Sequence, residues 1–122
     1  MARTTRVISV SVEVKDQDRA LAFYTQVLGF ELRADFEIGP GERWVEVVPP
    51  GSDVGVALLT RESGIPIGVR LGTPDADEAH AGLVAAGSAP HNEVLRTNYA
   101  PPMFAFADPD GNAVVYIEDA GR

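Results

Sequence analysis

The chain has 122 residues, no cysteine and a formal net charge of −8. That length suits one domain able to build its own core, and the lack of cysteine excludes a disulfide framework, a cysteine nucleophile and a thiolate metal site. The acidic balance argues against a nucleic-acid partner, because a phosphate backbone is met by clustered basic residues, whereas Arg3, Arg6 and Lys15 are scattered.

No apolar run nears the ~20 residues that span a bilayer. The opening residues 1–6 lead into alternating Val and Ser rather than the apolar core of a leader. The expectation is a cytoplasmic protein with no membrane partner.

Residues 7–14, Val-Ile-Ser-Val-Ser-Val-Glu-Val, alternate with period two. Ile8, Val10, Val12 and Val14 form an apolar side suited to packing under a helix. Ser9 and Ser11 share the other side, which suits either a cavity or plain solvent. Residues 16–30 read as a helix that opens on short polar caps and closes at Gly29. Ala20, Leu21, Phe23, Tyr24, Val27 and Leu28 recur at helical spacing and mark one buried face. Strands follow over 30–38, 42–48 and 54–60, separated by turns at 39–41 and 49–53, which predicts an antiparallel meander. The first half is therefore β-α-β-β-β.

Residues 61–66 form a linker, and 67–71 a strand. A second helix takes its cap from Thr73, Asp75 or Asp77, with Asp75-Ala-Asp-Glu78 in capping-box form. Its stripe is Ala76, Ala79, Leu83, Val84 and Ala86, and Gly87 ends it. Residues 91–99, 104–107 and 113–118 supply up to three more strands, with Asp108-Pro-Asp-Gly111 as a tight turn. The repeated element order predicts an α+β fold of two βαβββ modules, about residues 5–60 and 65–120, sharing one core or one sheet.

Chemistry-bearing residues are few. Glu46 sits mid-strand between Val45 and Val47, and Trp44 shares its face by period two. A carboxylate in a partly apolar setting suits a general base; pointing to solvent, it does nothing. A Trp beside a Glu suits a flat or cationic ligand through stacking and charge, or else packs in the core or a dimer interface. Tyr99, Met103, Phe104 and Phe106 either line a pocket wall or fill the core. His80 is expected exposed on the second helix. His91 is expected in a surface loop, with a cavity acid or base as the alternative. No glycine pattern cradles a phosphate, and no Ser/His/Asp arrangement is supported.

Two motifs carry a family resemblance. Val14-Lys-Asp-Gln-Asp-Arg-Ala-Leu-Ala-Phe-Tyr-Thr-Gln-Val-Leu-Gly-Phe30 resembles the first-helix signature of the vicinal oxygen chelate superfamily, which includes glyoxalase I, bleomycin-resistance proteins, fosfomycin-resistance enzymes and extradiol dioxygenases. Ala107-Asp-Pro-Asp-Gly-Asn112 resembles its C-terminal hairpin. The stretch Gly41-Glu-Arg-Trp-Val-Glu-Val-Val-Pro-Pro-Gly51 is similar to the third-strand region of its small members. The resemblance implies paired βαβββ modules, each an open curved mixed sheet that cups half of a cavity, and a homodimer with sites near the interface. Metal-using members draw His and Glu ligands from the first and last strand of each module. Carried onto this chain, those positions fall on Ser9, Leu58, Gly68 and Val115, none of which supplies imidazole or carboxylate. The expectation is thus no metal and no cofactor.

The expected ligand-binding cavity comprises Ser9, Ser11, Trp44, Glu46, Leu58, Gly68, Tyr99, Phe104 and Val115. The expected function is metal-independent binding of a small aromatic or cationic molecule, similar to bleomycin-resistance-type sequestration. The rival is a glyoxalase- or dioxygenase-like lyase, isomerase or oxygenase. It would be metal-free with Glu46 or His91 as base, or metal-dependent through other residues.

Overall fold

The computed structural model describes residues 2–98 and 100–119. It divides into two compact units, Ile8–Ile67 and the combination of Met1–Val7 with Gly68–Arg122. The first unit holds most of β1 (Arg6–Glu13), then α1 (Gln17–Ala22), β2 (Glu31–Gly39), β3 (Glu42–Val48) and β4 (Gly55–Leu59). Its strands lie in the order β2-β3-β4-β1. The β2–β3–β4 meander is antiparallel as its turns predict, and β1 returns parallel to β4. The fold is α+β, with a mixed sheet in each unit.

Asp16 caps α1 by accepting a hydrogen bond from the Arg19 backbone N–H at 3.0 Å. Gln17, buried in the first turn, donates from its amide to the carbonyls of Arg43 and Leu58, both at 2.8 Å. These bonds fasten the helix start to β3 and β4. Past Ala22 the helix widens into one π turn, Phe23–Val27, closed by the Leu28 N–H on the Phe23 carbonyl at 3.2 Å. The Thr25 hydroxyl donates back to the Leu21 carbonyl at 2.7 Å. Gly29, at φ 80°, ends the element.

The wide turn corrects the helical reading. An extra residue per turn rotates everything after Tyr24 away from the α-helical stripe. Ala20, Leu21 and Tyr24 do pack on the core cluster of Val45, Val47 and Leu58. Val27 and Leu28 are instead 67% and 49% exposed, and Phe23, at the start of the wide turn, is 49% exposed.

A second departure lies in β2. Its pairing with β3 shifts register between Leu32 and Ala34 and again between Glu37 and Gly39. Each shift is a bulge, which adds a residue and breaks the alternation. Leu32 lies across from Val47, on the side of α1, whereas Ala34 and Phe36 lie across from Glu46 and Trp44 on the other side. Strict period two puts all three together.

The second unit contains β5 (Gly68–Thr73), α2 (Ala76–Ala85), β6 (Met103–Ala107) and β7 (Ala113–Glu118), in the order β5-β7-β6. β5 runs parallel to β7 and β6 antiparallel to it. The first residues of the chain belong here: the Thr5 N–H donates to the Gly72 carbonyl at 2.8 Å, Thr4 and Tyr116 share a hydroxyl hydrogen bond of 2.6 Å, and Arg6 pairs with Asp119 at 2.6 Å. Of the three candidate caps, Asp75 caps α2, accepting from the Glu78 N–H at 3.0 Å. Ala79 packs with Phe104, Phe106 and Tyr116 to form the core, joined by Leu83 and Val114. Val84 lies outside that core and is 54% exposed.

The strand expected over 91–99 does not form among the described residues; an isolated bridge joins Leu95 to Met103. The His91 N–H does reach the Ala105 carbonyl at 2.8 Å, but the Ala105 N–H is taken by the Asn92 side chain at 3.1 Å. An Asx side chain here replaces the backbone ladder. His80 is also not simply exposed: its Nε2 lies 3.1 Å from the Asn92 carbonyl, and its ring stands edge-on to Phe104 at 4.9 Å. Asp108 organises the last turn. Its carboxylate accepts from the Asn112 side chain, the Asn112 N–H and the Asp110 N–H at 2.8–2.9 Å, which holds it below the usual carboxylate range. No helix of the described residues is long and apolar enough to cross a membrane.

Candidate functional site

The sheet of the first unit has two unlike sides. Val45, Val47, Val12, Val56 and Leu58 face α1. The other side carries Ser9 and Ser11 of β1, Gly55 and Ala57 of β4, Trp44 and Glu46 of β3, and Ala34 and Phe36 of β2, as the pairings Ser9↔Gly55, Ser11↔Ala57, Glu46↔Ala57 and Phe36↔Trp44 require. Four of the predicted site residues therefore share one face. Ser9 is almost fully buried, and Ser11 reaches the Pro66 carbonyl at 3.5 Å.

Leu58 is not on that face. It is wholly buried under α1, because β4 alternates and Ala57 and Leu59 take the other side. Phe104 is likewise core: it is 1% exposed, beneath α2. Val115 does lie on the side of the second unit's sheet away from α2, since its neighbours Val114 and Tyr116 enter the core. It pairs with Arg70, as Gly68 pairs with Ala113. Tyr99 lies outside the described residues. His91 is exposed in its loop.

The centre of the first unit's face is a three-residue network. Glu46 Oε1 accepts the Trp44 indole N–H at 3.0 Å, and Glu46 Oε2 accepts from the Arg33 guanidinium. Arg33 also donates through Nη1 to the Asp53 carbonyl at 2.9 Å and through Nη2 toward the Ile8 carbonyl at 3.5 Å. Arg33 reaches this face because it is the extra residue of the first β2 bulge, the kind of irregularity that re-aims a side chain. Gly55 makes the room. A Cβ there would overlap Glu46 Oε2 and Arg33 Nη2 and lie 2.9 Å from Arg33 Cζ.

The network gives Glu46 partners on both oxygens, and its charge is matched by a guanidinium. On the helix side of the same unit Arg43 pairs with Asp35 and Asp18, both at 2.9 Å, which raises its already high pKa further, Asp35 contributing most.

No cluster of the described residues offers a divalent metal three side-chain ligands. The four positions where the family places ligands hold a hydroxyl, a core leucine, a glycine and a valine, and no three His, Cys, Asp or Glu side chains converge among the described residues. Within the second unit Arg70 is buried, 5% exposed, and paired in register with Val115.

Sequence reading missed Arg33, Gly55 and Arg70. A bulge leaves no clear mark in one sequence. Gly55 inside a strand does signal a close approach, and Arg70 amid Gly-Val-Arg-Leu-Gly is as conspicuous as Glu46. Elsewhere, a hollow of about 500 Å³ lies between the end of α2 and the end of β6, lined by Leu83, Gly87, Ser88, Phe106 and Asp108. It contains none of the expected site residues.

Paired α+β units of this kind define a glyoxalase-type fold. The Glyoxalase/Bleomycin resistance protein/Dioxygenase superfamily matches residues 6–116, and the chain belongs to that family. It is 38% identical over 53 residues to the uncharacterized protein YetH of Bacillus subtilis (strain 168), a match covering 43% of this chain and 44% of YetH. The matched stretch thus spans less than half the length of that curated relative. Methylmalonyl-CoA epimerase from Mycobacterium tuberculosis shares the fold, with a TM-score of 0.79 and 23% identity over 98% of this chain and 91% of the epimerase. TnmS3, an antibiotic binding protein from Streptomyces sp. CB03234, is 34% identical over 97% of this chain and 98% of its own, with a TM-score of 0.44.

Proposed function

We propose that the chain binds a small aromatic organic molecule without a metal ion, sequestering rather than transforming it. The observation that carries this reading is the Trp44 face. A Trp with its N–H fixed on a buried carboxylate, beside a Phe36 that is 54% exposed, offers apolar ring surface already held in place. Ordering such a surface in advance lowers the cost of binding. Cation steering by Glu46 drops out of the reading, because Arg33 already neutralises it.

The acid–base rival loses its best base for the same reason, and His91 stands exposed in a loop of the other unit. A homodimer and a cytoplasmic setting, which the family resemblance and the sequence suggest, belong to the same proposal; sedimentation of the purified chain tests the first.

Trp44 is the sole tryptophan, so its fluorescence reports this face alone. Titration with neutral naphthalene- and quinoline-type compounds should give saturable quenching together with a raised melting temperature. A ligand at a hundred times its Kd stabilises by about 2.7 kcal/mol. Trp44→Leu should abolish the thermal shift. Null shifts across the panel would mark the chain as a scaffold without a ligand.

A further inference from the structure

We propose that Arg33 is an anion-receiving group of this site, so that its ligand is a flat aromatic molecule bearing a carboxylate or a similar anion. The inference rests on the reading that the Trp44 face binds an aromatic molecule, and it names the charge that molecule carries.

The net charge of −8 suggests the opposite, a cationic ligand. Local geometry decides otherwise. Within the ion pair the two partners are unequally open: the Glu46 side chain is 10% exposed and the Arg33 side chain 34%. What an incoming molecule meets is the guanidinium, with the carboxylate behind it. Each oxygen of the carboxylate already accepts a hydrogen bond, one from the Trp44 indole and one from Arg33.

Arg33 has donors to spare. A guanidinium presents five N–H groups in a rigid fork. Those on Arg33 reach the Asp53 carbonyl, the Ile8 carbonyl and Glu46 through Nη1 and Nη2. Nε–H and one Nη1–H make no hydrogen bond among the described residues. The two point to different sides of the guanidinium, so each suits a single anionic oxygen, and such charge-assisted bonds are short and strong.

The group is also held in place before any ligand arrives. The β2 bulge turns it to this face, Glu46 and two carbonyls clamp it, and the missing side chain at Gly55 leaves it room. Glu46 touches both Arg33 and Trp44, so the anion site and the ring surface lie about one carboxylate apart. A ligand that stacks a ring on Trp44 and extends an anionic group toward Arg33 uses both.

Three ligands with one ring and different charges test this: 4-nitrobenzoate, 4-nitrobenzyl alcohol and 4-nitrobenzylamine. Nitroaromatic rings quench tryptophan, so each is read by Trp44 fluorescence on the full chain. At physiological salt the Debye length is about 8 Å, which screens the chain's distant negative charge but not a contact with Arg33. The expected result is binding of 4-nitrobenzoate about tenfold or more tighter than 4-nitrobenzylamine. Arg33→Gln removes the cation and uncovers the Glu46 carboxylate, so it should erase or reverse that ratio, with 4-nitrobenzyl alcohol reporting whether the ring contact survives. Arg33→Lys keeps the charge and loses the guanidinium's fixed donors, so it should retain part of the preference; it also serves if Arg33→Gln fails to fold.

The inference is overturned if 4-nitrobenzylamine binds as tightly as 4-nitrobenzoate, or if Arg33→Gln leaves 4-nitrobenzoate affinity unchanged. Saturable binding of the neutral alcohol with no charge preference removes the role of Arg33 alone. If none of the three quenches saturably, the aromatic site itself is wrong and the anion site falls with it.

Discussion

Replacing Glu46 with Gln tests whether the Arg33–Glu46–Trp44 network is a built site or a chance surface pairing. The substitution keeps side-chain shape. Its carbonyl oxygen can still accept the Trp44 indole N–H, which now sits 3.0 Å from Oε1. The other terminal atom becomes an amide NH₂ facing a guanidinium, a donor against a donor. Breaking a buried pair from one side costs about 3–5 kcal/mol, while exposed pairs are worth about 0–1 kcal/mol. Glu46 belongs to the first case, with its side chain 10% exposed, and Arg33, at 34%, lies between the two. Water reaches the freed guanidinium and recovers part of the loss, so about 1.5–3 kcal/mol is expected, the range of a hydrogen bond to a charged group. At roughly 4 °C per kcal/mol for a chain of this size, the melting temperature should fall by about 6–12 °C. Urea unfolding followed by Trp44 fluorescence and by far-UV circular dichroism measures the change. The loss should persist in 1 M salt, because a mostly buried contact is poorly screened. A double-mutant cycle with Arg33→Met should return a coupling of about 1 kcal/mol or more. A loss below about 0.5 kcal/mol with no coupling would refute the reasoning, since that is how an exposed pair behaves.

Four further outcomes rest on particular contacts. Leu58→Ala should cost about 3–5 kcal/mol in urea denaturation, as a wholly buried core leucine does, whereas Leu28→Ala, at a site 49% exposed, should cost about 1 kcal/mol or less. Gly68→Ala would drive a Cβ into the Ala113 carbonyl; backbone cannot step aside within a parallel pairing, so a loss of about 2–3 kcal/mol is expected by calorimetry. Asp108 has its carboxyl lowered, chiefly by the Asn112 side chain, so its contribution is complete above the unfolded carboxylate value and vanishes as pH falls through the lower folded one. From about pH 4 downward, the melting temperature of the native chain should therefore fall more steeply than that of Asp108→Asn, and parallel curves would contradict the role given to the turn. Dialysis against EDTA, or addition of Zn²⁺, Ni²⁺ or Mn²⁺, should leave the melting temperature unchanged; a tight stoichiometric metal would overturn the metal-free reading.

Much of the fold was legible because it rests on local rules. Alternation in residues 7–14 separated Ser9 and Ser11 from the core side, and β3 and β4 match their predicted spans within a residue. Capping chemistry placed Asp16 and offered Asp75 among three candidates. The failures have physical causes of one type. Periodicity assumes one residue per step, and the chain breaks that assumption twice: by a π turn at Phe23–Val27 and by the bulges of β2. Each inserts a residue and turns the side chains beyond it onto a different face. The missing strand at 91–98 is a different failure, in which the Asn92 side chain competes for a backbone donor.

The candidate site was half legible, and the half that was missed bears on the chemistry proposed for it. Glu46 and Trp44 stand out as a carboxylate and an indole two residues apart on one strand, and from them alone a flat or cationic ligand follows. The partner that inverts the conclusion, Arg33, lies 13 residues earlier, on a strand whose regular alternation puts it with Asp35 and Glu37, across the sheet from Glu46. Only the bulge brings it round. The glycine that admits it, Gly55, lies in a third strand and supplies nothing but space. A charge on a sheet face therefore cannot be assigned from its own strand. Its sign as a ligand meets it depends on what the neighbouring strands deliver, and here a neighbour delivers a guanidinium that covers the carboxylate and remains the more exposed of the two.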